Sequence, residues 1–276
     1  MSTEDDTKAK LNKAFTRAAQ GGIAGASAMA IQVCTLMWMR TAINYQYRYG
    51  TTTTQAFKTL WKDGGIPRFY RGVLPALMQG PLSRFGTIVL LDSFDETKNL
   101  PVGIKSLLAS ANAAAFRIFL MPIDTVKTTM QVEGKDGLSK LMTKFRANGI
   151  KTFYQGSLAA TAATFVGHYP WFATYNFLNA KLPKYNEDPL KKLGRNAAIG
   201  FICSAVSDTC SNSIRVLKVY RQSSSELVSY PEVARRVIAS EGIMGLLGRG
   251  LQTKIIANGM QGIMFSVLWK YIDEAM

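Results

Sequence analysis

Ionisable residues inside apolar segments are the residues of this sequence best placed to do chemistry. The stretch MPIDTVKTTMQ, residues 121–131, puts Pro122, Asp124 and Lys127 within or beside an apolar run. Proline removes a backbone hydrogen-bond donor, and a charge inside an apolar helix is costly. Such residues are typical of helices that line a watery cavity. The chain carries no catalytic triad, metal-ligand cluster or phosphate-binding loop, so an enzyme is not expected.

Six segments of the 276-residue chain have the length of membrane-spanning helices. The first, 18–39, holds 22 residues without a charge between Arg17 and Arg40. The others are roughly 72–91, 106–123, 156–178, 196–214 and 250–269, and they contain in turn Arg84, Arg117, His168, Asp208 and Lys254. About one ionisable residue per segment favours an all-α membrane protein with six transmembrane helices around a cavity.

A soluble six-helix bundle is the alternative to this membrane protein. Mean hydropathy is only +0.04, so composition alone does not decide between the two. The length of the segments and their many Gly, Ala and Ser residues, which allow close helix packing in lipid, favour the membrane protein. Cys34, Cys203 and Cys210 fall inside the segments and indicate neither a disulfide framework nor a metal site. The N-terminal MSTEDDTKAKLNK resembles neither a signal peptide nor a transit peptide, so any targeting information is expected to be internal.

The positive charge of the chain lies mostly in three connections between the segments. Residues 40–71, 127–155 and 218–249 hold 6, 6 and 5 Lys or Arg against 1, 2 and 3 acidic residues, out of a net charge of +15. All three connections would lie on one side of the membrane, in agreement with the positive-inside tendency. No basic-aromatic motif of a nucleic-acid-binding module accompanies this charge, so nucleic acid is not an expected partner.

An internal repeat relates the three parts of the chain. TLMWMRTAIN begins at Thr35, PIDTVKTTMQ at Pro122 and SIRVLKVYRQ at Ser213, at spacings of 87 and 91 residues. Each is followed by a second motif, GGIPRFYRG, NGIKTFYQG or EGIMGLLGRG. Each repeat is therefore predicted to contain a helix, a basic connector with a short amphipathic helix, and a second helix. The short helices are expected near 52–62, 137–147 and 230–240.

These motifs resemble those of the mitochondrial carrier family, over about residues 15–273. The resemblance implies one carrier domain over 1–276, built from the repeats 15–98, 103–183 and 193–273, in the inner mitochondrial membrane. It also implies pseudo-three-fold symmetry, short helices on the matrix side and alternating access to a central cavity. The second repeat carries the first family motif intact, as Pro122, Asp124 and Lys127, with Gln131 at the position of the family's glutamine brace.

The resemblance assigns a matrix gate to the odd-numbered helices, where carboxylates pair with cations of the next repeat. In repeat order, the proline position holds Thr35, Pro122 and Ser213, the carboxylate position Met37, Asp124 and Arg215, and the cation position Arg40, Lys127 and Lys218. Only Asp124 with Lys218 keeps the family pairing. Arg40, Lys127 and Arg215 are then expected to converge without partners, so that closure would need a bridging anion and would gain from acids at positions 37 and 215.

The opposite gate falls by the same comparison on the even-numbered helices. Counting from the glycines places Asp92 and Asp95 in the first repeat and Lys270 in the third. Lys270 stands where the family has an acid, and Asp95 where it has a cation. An inverted pair between Lys270 and Asp95 is therefore expected.

Cavity positions follow from counting along the helices. Arg117 and Asp208 would face each other, either as a structural ion pair or as a site for a zwitterion, with the ion pair slightly favoured. Gln79 and Thr164 stand at the even-helix substrate contacts. His168 is interpreted as a packed core residue rather than a proton carrier.

The connector ends resemble the cardiolipin sites of the family. These are Tyr70, Arg71 and Gly72 in the first repeat and Tyr154 with Gly156 in the second. Backbone donors at helix starts bind phosphate there, so cardiolipin is expected as a structural lipid, with no cofactor and no metal.

Two functions remain open from the sequence. The favoured one is a solute carrier that moves a small anionic or zwitterionic metabolite, with membrane lipids as its other partners. The alternative is a carrier-fold protein that has lost transport and serves as an accessory subunit of an inner-membrane protein complex. Degenerate gates favour the second, and an intact proline motif with a polar cavity favours the first.

Overall fold

The structure is a computed structural model that describes residues 30–79, 82, 116–185 and 188–275, with side chains as far as residue 264. The described residues are almost entirely helical and contain no strand, which confirms the all-α prediction. In chain order the helices are α1 (30–49), α2 (Thr53–Lys62), α3 (Gly65–Phe69), α4 (73–79), α5 (Met121–Glu133), α6 (Gly137–Asn148), α7 (Ser157–Lys181), α8 (Pro189–Ser223), α9 (Tyr230–Gly248) and α10 (Leu251–Ala275).

The long helices occupy the predicted segments but differ from them in length. Helices α7 and α10 nearly coincide with 156–178 and 250–269, whereas α8 has 35 residues and extends beyond 196–214 at both ends. Helix α1 continues past the predicted end at residue 39 as far as residue 49. Among the described helices, none reaches the combination of length and apolar character expected of a membrane span. Most of the segments 72–91 and 106–123 lies outside the described residues.

Short helices occur at all three predicted connector positions. Helix α2 begins after Thr52, whose hydroxyl accepts from Gln55 N while the Gln55 side chain accepts from Thr52 N, a capping box. Helix α6 follows Gly134 and a single 3₁₀ turn. Helix α9 begins after the cap Ser229 and bends at Gly242, where φ is 69°.

Three buried cations join each repeat to the next at the connector end of the bundle. Arg68 donates to the carbonyls of Gln131 and Val132, at the end of α5, over 2.8 and 2.7 Å. Lys144 donates to Ser224 O, at the end of α8, over 2.5 Å. Arg249 donates to the carbonyls of residues 47 and 48, at the end of α1, over 3.4 and 3.3 Å. The last carbonyls of a helix lack intrahelical donors, so these cations provide their hydrogen-bond partners. A positive charge there also interacts favourably with the negative end of the helix dipole. The three contacts form a closed ring over the three repeats.

Two connector glycines allow the backbones of neighbouring repeats to approach closely. Gly72 has φ 82°, and a Cβ there would lie 3.0 Å from Lys127 O of α5. Gly156 has φ 93°, and its Cβ would lie 3.1 Å from the Gln222 side chain of α8. Only glycine suits both requirements, so these residues set the distance between the connector and the next odd-numbered helix.

The main apolar core lies at the same end, among the odd-numbered helices and the connectors. Its buried members come from every repeat: Met39, Ile43, Tyr47, Val132, Val216, Val219, Val228, Val233, Val237 and Ala257. Helices α7 and α8 cross closely where Ser207 Oγ donates to Gly167 O over 2.7 Å. The core therefore fixes one end of the bundle and leaves the interior between the long helices open for a cavity.

Candidate substrate cavity

A cavity of about 510 Å³ lies between the long helices. Its volume lies within the range of small-molecule sites. Among the described residues, its lining includes a single carboxylate, Asp124, and six cations: Arg40, Arg117, Lys127, Arg215, Lys218 and Lys254. The cavity therefore presents an environment that attracts anions.

Asp124 is the centre of a charged cluster that we call the floor cluster. Lys127 Nζ lies 2.9 Å from Oδ1 of this buried carboxylate, and Lys218 Nζ lies 2.5 Å from Oδ2. Gln79 Nε2 donates to Oδ1 over 3.0 Å, and Gln222 Nε2 donates to Oδ2 over 3.2 Å. The contact expected between Asp124 and Lys218 is present, and its role as a gate stays a prediction. Gln79, expected to bind substrate, instead bonds to this cluster.

Asp208 forms a second cluster, which we call the upper cluster. Arg215 Nη2 and Lys254 Nζ lie 3.5 and 3.3 Å from Asp208 Oδ1. Asn258 Nδ2 donates to Oδ2 over 2.5 Å. The prediction of an ion pair between Asp208 and Arg117 is wrong, because Arg215, Lys254 and Asn258 bind the carboxylate of Asp208 instead. Arg117 makes no hydrogen bond or ion pair with a described residue.

The prediction that three cations converge without partners at the matrix gate is also wrong. Lys127 shares the carboxylate of Asp124. Arg215 reaches back two helical turns to Asp208. Arg40 alone of the three lacks a carboxylate among the described residues, and its contact is Gln32 Oε1 at 3.5 Å. The charges are thus distributed over two levels of the cavity rather than gathered at one.

A neutral side chain, Met37, occupies the place of one missing gate carboxylate. Met37 is fully buried and packs with Val33 and Ala76. Gln131, the predicted brace, accepts from Asn44 Nδ2 over 2.5 Å and donates to Met37 Sδ over 3.5 Å. Amide and thioether contacts therefore join α1 to α5 at the position where this chain lacks the carboxylate of the family pattern.

Sequence reasoning missed Gln222, which belongs to the floor cluster. Gln222 binds both Asp124 and Thr125 Oγ1. It stands nine residues after Ser213, as Gln131 does after Pro122, so the repeat itself would have identified it. Lys254, Asn258 and Gln261 line the cavity from α10 at helical spacing, in agreement with the prediction that the segment containing Lys254 faces a cavity.

Thr164 keeps its predicted location, whereas His168 does not. Thr164 lines the cavity, and its hydroxyl donates to Ala160 O over 2.9 Å. His168 also lines the cavity rather than packing in a closed core. Pro122 is the second residue of α5, directly after a break at Leu120 that separates α5 from the helical turn 116–119. A proline there keeps the helix start without losing an intrahelical hydrogen bond.

The side chains of the predicted opposite gate lie outside the described part of the structure. Asp92 and Asp95 lie outside the described residues, and Lys270 lies in the part of α10 beyond the described side chains. Their pairing stays a prediction.

The predicted lipid-binding residues lie at the connector ends. Tyr70 OH donates to Cys34 O over 2.8 Å, and Arg71 is exposed. Tyr154 is partly exposed, and Gly156 is the N-cap of α7. Their position beside a helix start fits an anion-binding role, which stays a prediction.

A family model described as mitochondrial carrier protein matches residues 11–101 and 98–186. The chain belongs to the mitochondrial carrier family. The two matched stretches correspond to the first two repeats and cover more than half of the chain.

Three relatives illustrate the breadth of this similarity. A mitochondrial carrier-like protein of Acanthamoeba polyphaga mimivirus is 27% identical over 60% of this chain and 63% of its own length. Protein MITOFERRINLIKE 1, chloroplastic, of Arabidopsis thaliana is 24% identical over 76% of this chain and 50% of its own. The tricarboxylate transport protein of Saccharomyces cerevisiae is 28% identical over 46% of this chain and 48% of its own. The chain thus spans between about half and 63% of the length of these relatives.

Proposed function

We propose that the chain is a carrier that moves a small anionic metabolite across the inner mitochondrial membrane by alternating access to the central cavity. The observation that carries the proposal is the lining, where six cationic side chains meet one carboxylate in the part of the chain that the structure describes. Transport in general agrees with the family, whose name and relatives describe carriers. In this proposal the whole chain is one carrier domain of three repeats, 15–98, 103–183 and 193–273, with six spans.

The contacts of Asp208 favour an anion over a zwitterion. A zwitterion would need a free carboxylate for its ammonium group beside a free cation for its acid group. Asp208 is occupied by Arg215, Lys254 and Asn258, and Asp124 by two lysines. The cations are thus in excess, and both described carboxylates near the cavity are already paired.

The outer surface supports a location in lipid. Large apolar side chains on the described helices are strongly exposed, with fractions of 70% for Phe119, 71% for Leu158 and 80% for Tyr169. Exposed apolar area of this kind is typical of a surface covered by protein or lipid. We include cardiolipin at residues 70–72 and 154–156 as a structural lipid, because Gly156 begins α7 without a side-chain cap.

Reconstitution into liposomes tests the proposal. The purified chain should exchange an internal anion for an external labelled anion, such as phosphate or propane-1,2,3-tricarboxylate. Arg117→Gln should lower the initial rate at least about tenfold, because a cation in the cavity contributes on the order of 1.5–3 kcal/mol to an anion contact. Lys58→Gln makes the same change of charge at an exposed connector residue and should keep the rate. A folded wild-type protein that moves no anion in these liposomes would contradict the proposal and favour an accessory role.

A further inference from the structure

An apolar groove lies on the outside of the first repeat, where α1, α2 and α3 meet. Its volume is about 630 Å³, within the range of small-molecule sites. Six of the side chains that line it are aromatic or aliphatic: Trp38, Phe57, Trp61, Ile66, Phe69 and Tyr70. Trp61 and Ile66 are exposed, so the groove opens to the surroundings of the bundle rather than to the central cavity.

The polar atoms of two of these rings are already bound to α1. Trp38 Nε1 donates to Thr35 O over 2.8 Å, and Tyr70 OH donates to Cys34 O over 2.8 Å. The ring centroids of Trp38 and Phe57 lie 5.5 Å apart, so the wall is held by aromatic packing. Trp38 and Tyr70 therefore offer a ligand apolar surface rather than a hydrogen bond.

Two lysines of α2 complete the lining. Lys58 and Lys62 are exposed and stand one helical turn apart, a spacing that places Cβ atoms about 5–6 Å from each other. Within the described part of the chain, neither lysine forms a hydrogen bond or an ion pair. The nearest acid in sequence, Asp63, pairs with Arg68 at 2.6 Å. One anionic group at this edge of the groove could accept from both ammonium groups.

This combination is particular to the first repeat. Counted back from the start of the second motif, the positions of the two lysines hold Met142 with Arg146 in the second repeat and Arg235 with Ala239 in the third. The position of Trp38 holds Thr125 and Val216, and neither is aromatic. The other repeats build the same connector helix without the tryptophan and the lysine pair, so the fold itself does not require them.

The size and charge of the groove favour an anionic ligand with one hydrocarbon chain. Eight side chains line it, the six apolar ones and two lysines, whereas a standard protein interface takes about 20–30 residues a side. A single chain can place its whole apolar length in one groove, while a phospholipid would leave at least one chain outside. A carboxylate has two oxygens for the two ammonium groups, and such charge-assisted hydrogen bonds are strong.

We propose that this groove binds a long-chain fatty acid, with its hydrocarbon chain against Trp38, Phe57 and Trp61 and its carboxylate at Lys58 and Lys62. The site is separate from the central cavity, and binding there does not depend on the proposed transport. It also differs from the cardiolipin contacts proposed at residues 70–72 and 154–156, where backbone donors at helix starts would bind phosphate. In the groove the donors are side-chain ammonium groups.

Photo-crosslinking of the purified full-length chain in phosphatidylcholine nanodiscs tests the site. The probe is hexadecanoic acid with a diazirine at the end of its chain, and mass spectrometry of peptides locates the label. The label should fall on α1, α2 and α3. Unlabelled hexadecanoate should compete for this label. Methyl hexadecanoate, which has the same chain without the charge, should need at least about a tenfold higher concentration, because it loses the contacts to the ammonium groups.

Variants at the two ends of the groove separate charge from apolar contact. The double variant Lys58→Gln with Lys62→Gln should lower labelling by hexadecanoate at least about tenfold and remove its advantage over the methyl ester. Lys58→Arg with Lys62→Arg keeps both charges and should keep the label. Lys135→Gln with Lys151→Gln makes the same change of charge at exposed residues of another connector and should label as wild type does.

Trp61→Ala should also reduce the label, because it removes one wall of the groove. Its side chain is 60% exposed, so the fold should be retained, as an unchanged melting temperature would show. Phe177→Ala, at an aromatic residue of α7 with 62% exposure, is the matched control and should label as wild type does. Liposomes made without fatty acid do not engage the groove, so Lys58→Gln remains a control for transport.

Three results would overturn the proposal. One is a label spread over exposed apolar residues of all the helices, which would mean that the groove holds bulk lipid only. Another is equal competition by hexadecanoate and its methyl ester, or wild-type labelling of the Lys58→Gln, Lys62→Gln variant. The third is cardiolipin that competes as well as hexadecanoate at an equal number of acyl chains, which would assign the groove to an anionic phospholipid.

Discussion

Lys218 Nζ lies 2.5 Å from Oδ2 of Asp124, and this contact joins α8 to α5 across the floor of the cavity. The same carboxylate also holds Lys127 and two glutamine amides, so its four acceptor positions are fully used. One acid thus serves two cations, one from α5 and one from α8.

Asp124→Asn should destabilise the chain strongly. The substitution leaves Lys127 and Lys218 without a counter-charge, and breaking a buried pair in this way costs about 3–5 kcal/mol. The melting temperature in detergent with cardiolipin should fall clearly. Asp188→Asn makes the same chemical change at a half-exposed N-cap, where Asn caps as well as Asp, and should have little effect. Equal melting temperatures for the two variants would show that the floor cluster contributes nothing to the closed state.

Restoring acids at the degenerate gate positions should destabilise the closed end, contrary to the sequence-based expectation. Met37 is fully buried in an apolar cluster, where a new carboxylate would lose its hydration. Arg215→Asp would remove the contact to Asp208 and place two acids near each other. The variant with both Met37→Asp and Arg215→Asp should therefore melt below wild type. Met37→Leu, which conserves volume, should cost less than about 1.5 kcal/mol. A higher melting temperature for the double variant would contradict the observed pairing.

The repeat motifs predicted the placement of the helices well because each signal is local. Gly72, Gly156 and caps such as Thr52 act within a few residues, and the two glycines end the same connector motif in successive repeats. The three connector helices and the position of the cavity lining could therefore be read from the sequence.

Side-chain partners could not be read in the same way, because they depend on reach across neighbouring helices. Arg215 was assigned to the floor by its position, yet its long side chain extends two turns along α8 to Asp208. That contact, together with Lys254, removes the partner expected for Arg117. Repeat counting gives the level of a Cα atom and leaves the direction of a long cation undetermined. The length of α8 was also underestimated. Both ends of this helix carry charged residues, so the apolar pattern stops before the helix does.

Arg68→Gln should break one link of the ring that joins the repeats. Arg68 is buried, donates to Gln131 O and Val132 O, and pairs with Asp63 at 2.6 Å. Hydrogen bonds from a charged donor contribute about 1.5–3 kcal/mol each, and the carbonyls at the end of α5 would lose their partner. Thermal melting should show a clear loss. Arg71→Gln, at an exposed residue three positions away, should change stability by no more than about 0.5 kcal/mol. Similar losses for both variants would assign the effect to net charge rather than to the carbonyl contacts.

Lys144 should make the stability of the chain depend on pH in the alkaline range. Burial, assisted by the positive charges of Arg221 and Arg48, lowers the pKa of Lys144 from its ordinary value of 10.5 to about 8. Between these two values the unfolded chain binds more protons than the folded chain, so the contribution of Lys144 to stability rises as pH increases through 8 toward 10.5. Below pH 8 both forms are protonated and the unfavourable contribution is constant. The neutral amine still donates to Ser224 O.

Lys144→Met should abolish this rise in stability, so the melting temperature of wild type relative to the variant should increase with pH. Lys140→Met, at an exposed lysine of the same helix, should follow the wild-type curve. Parallel curves for wild type and Lys144→Met would mean that this amine keeps the same affinity for its proton in the folded and unfolded chain.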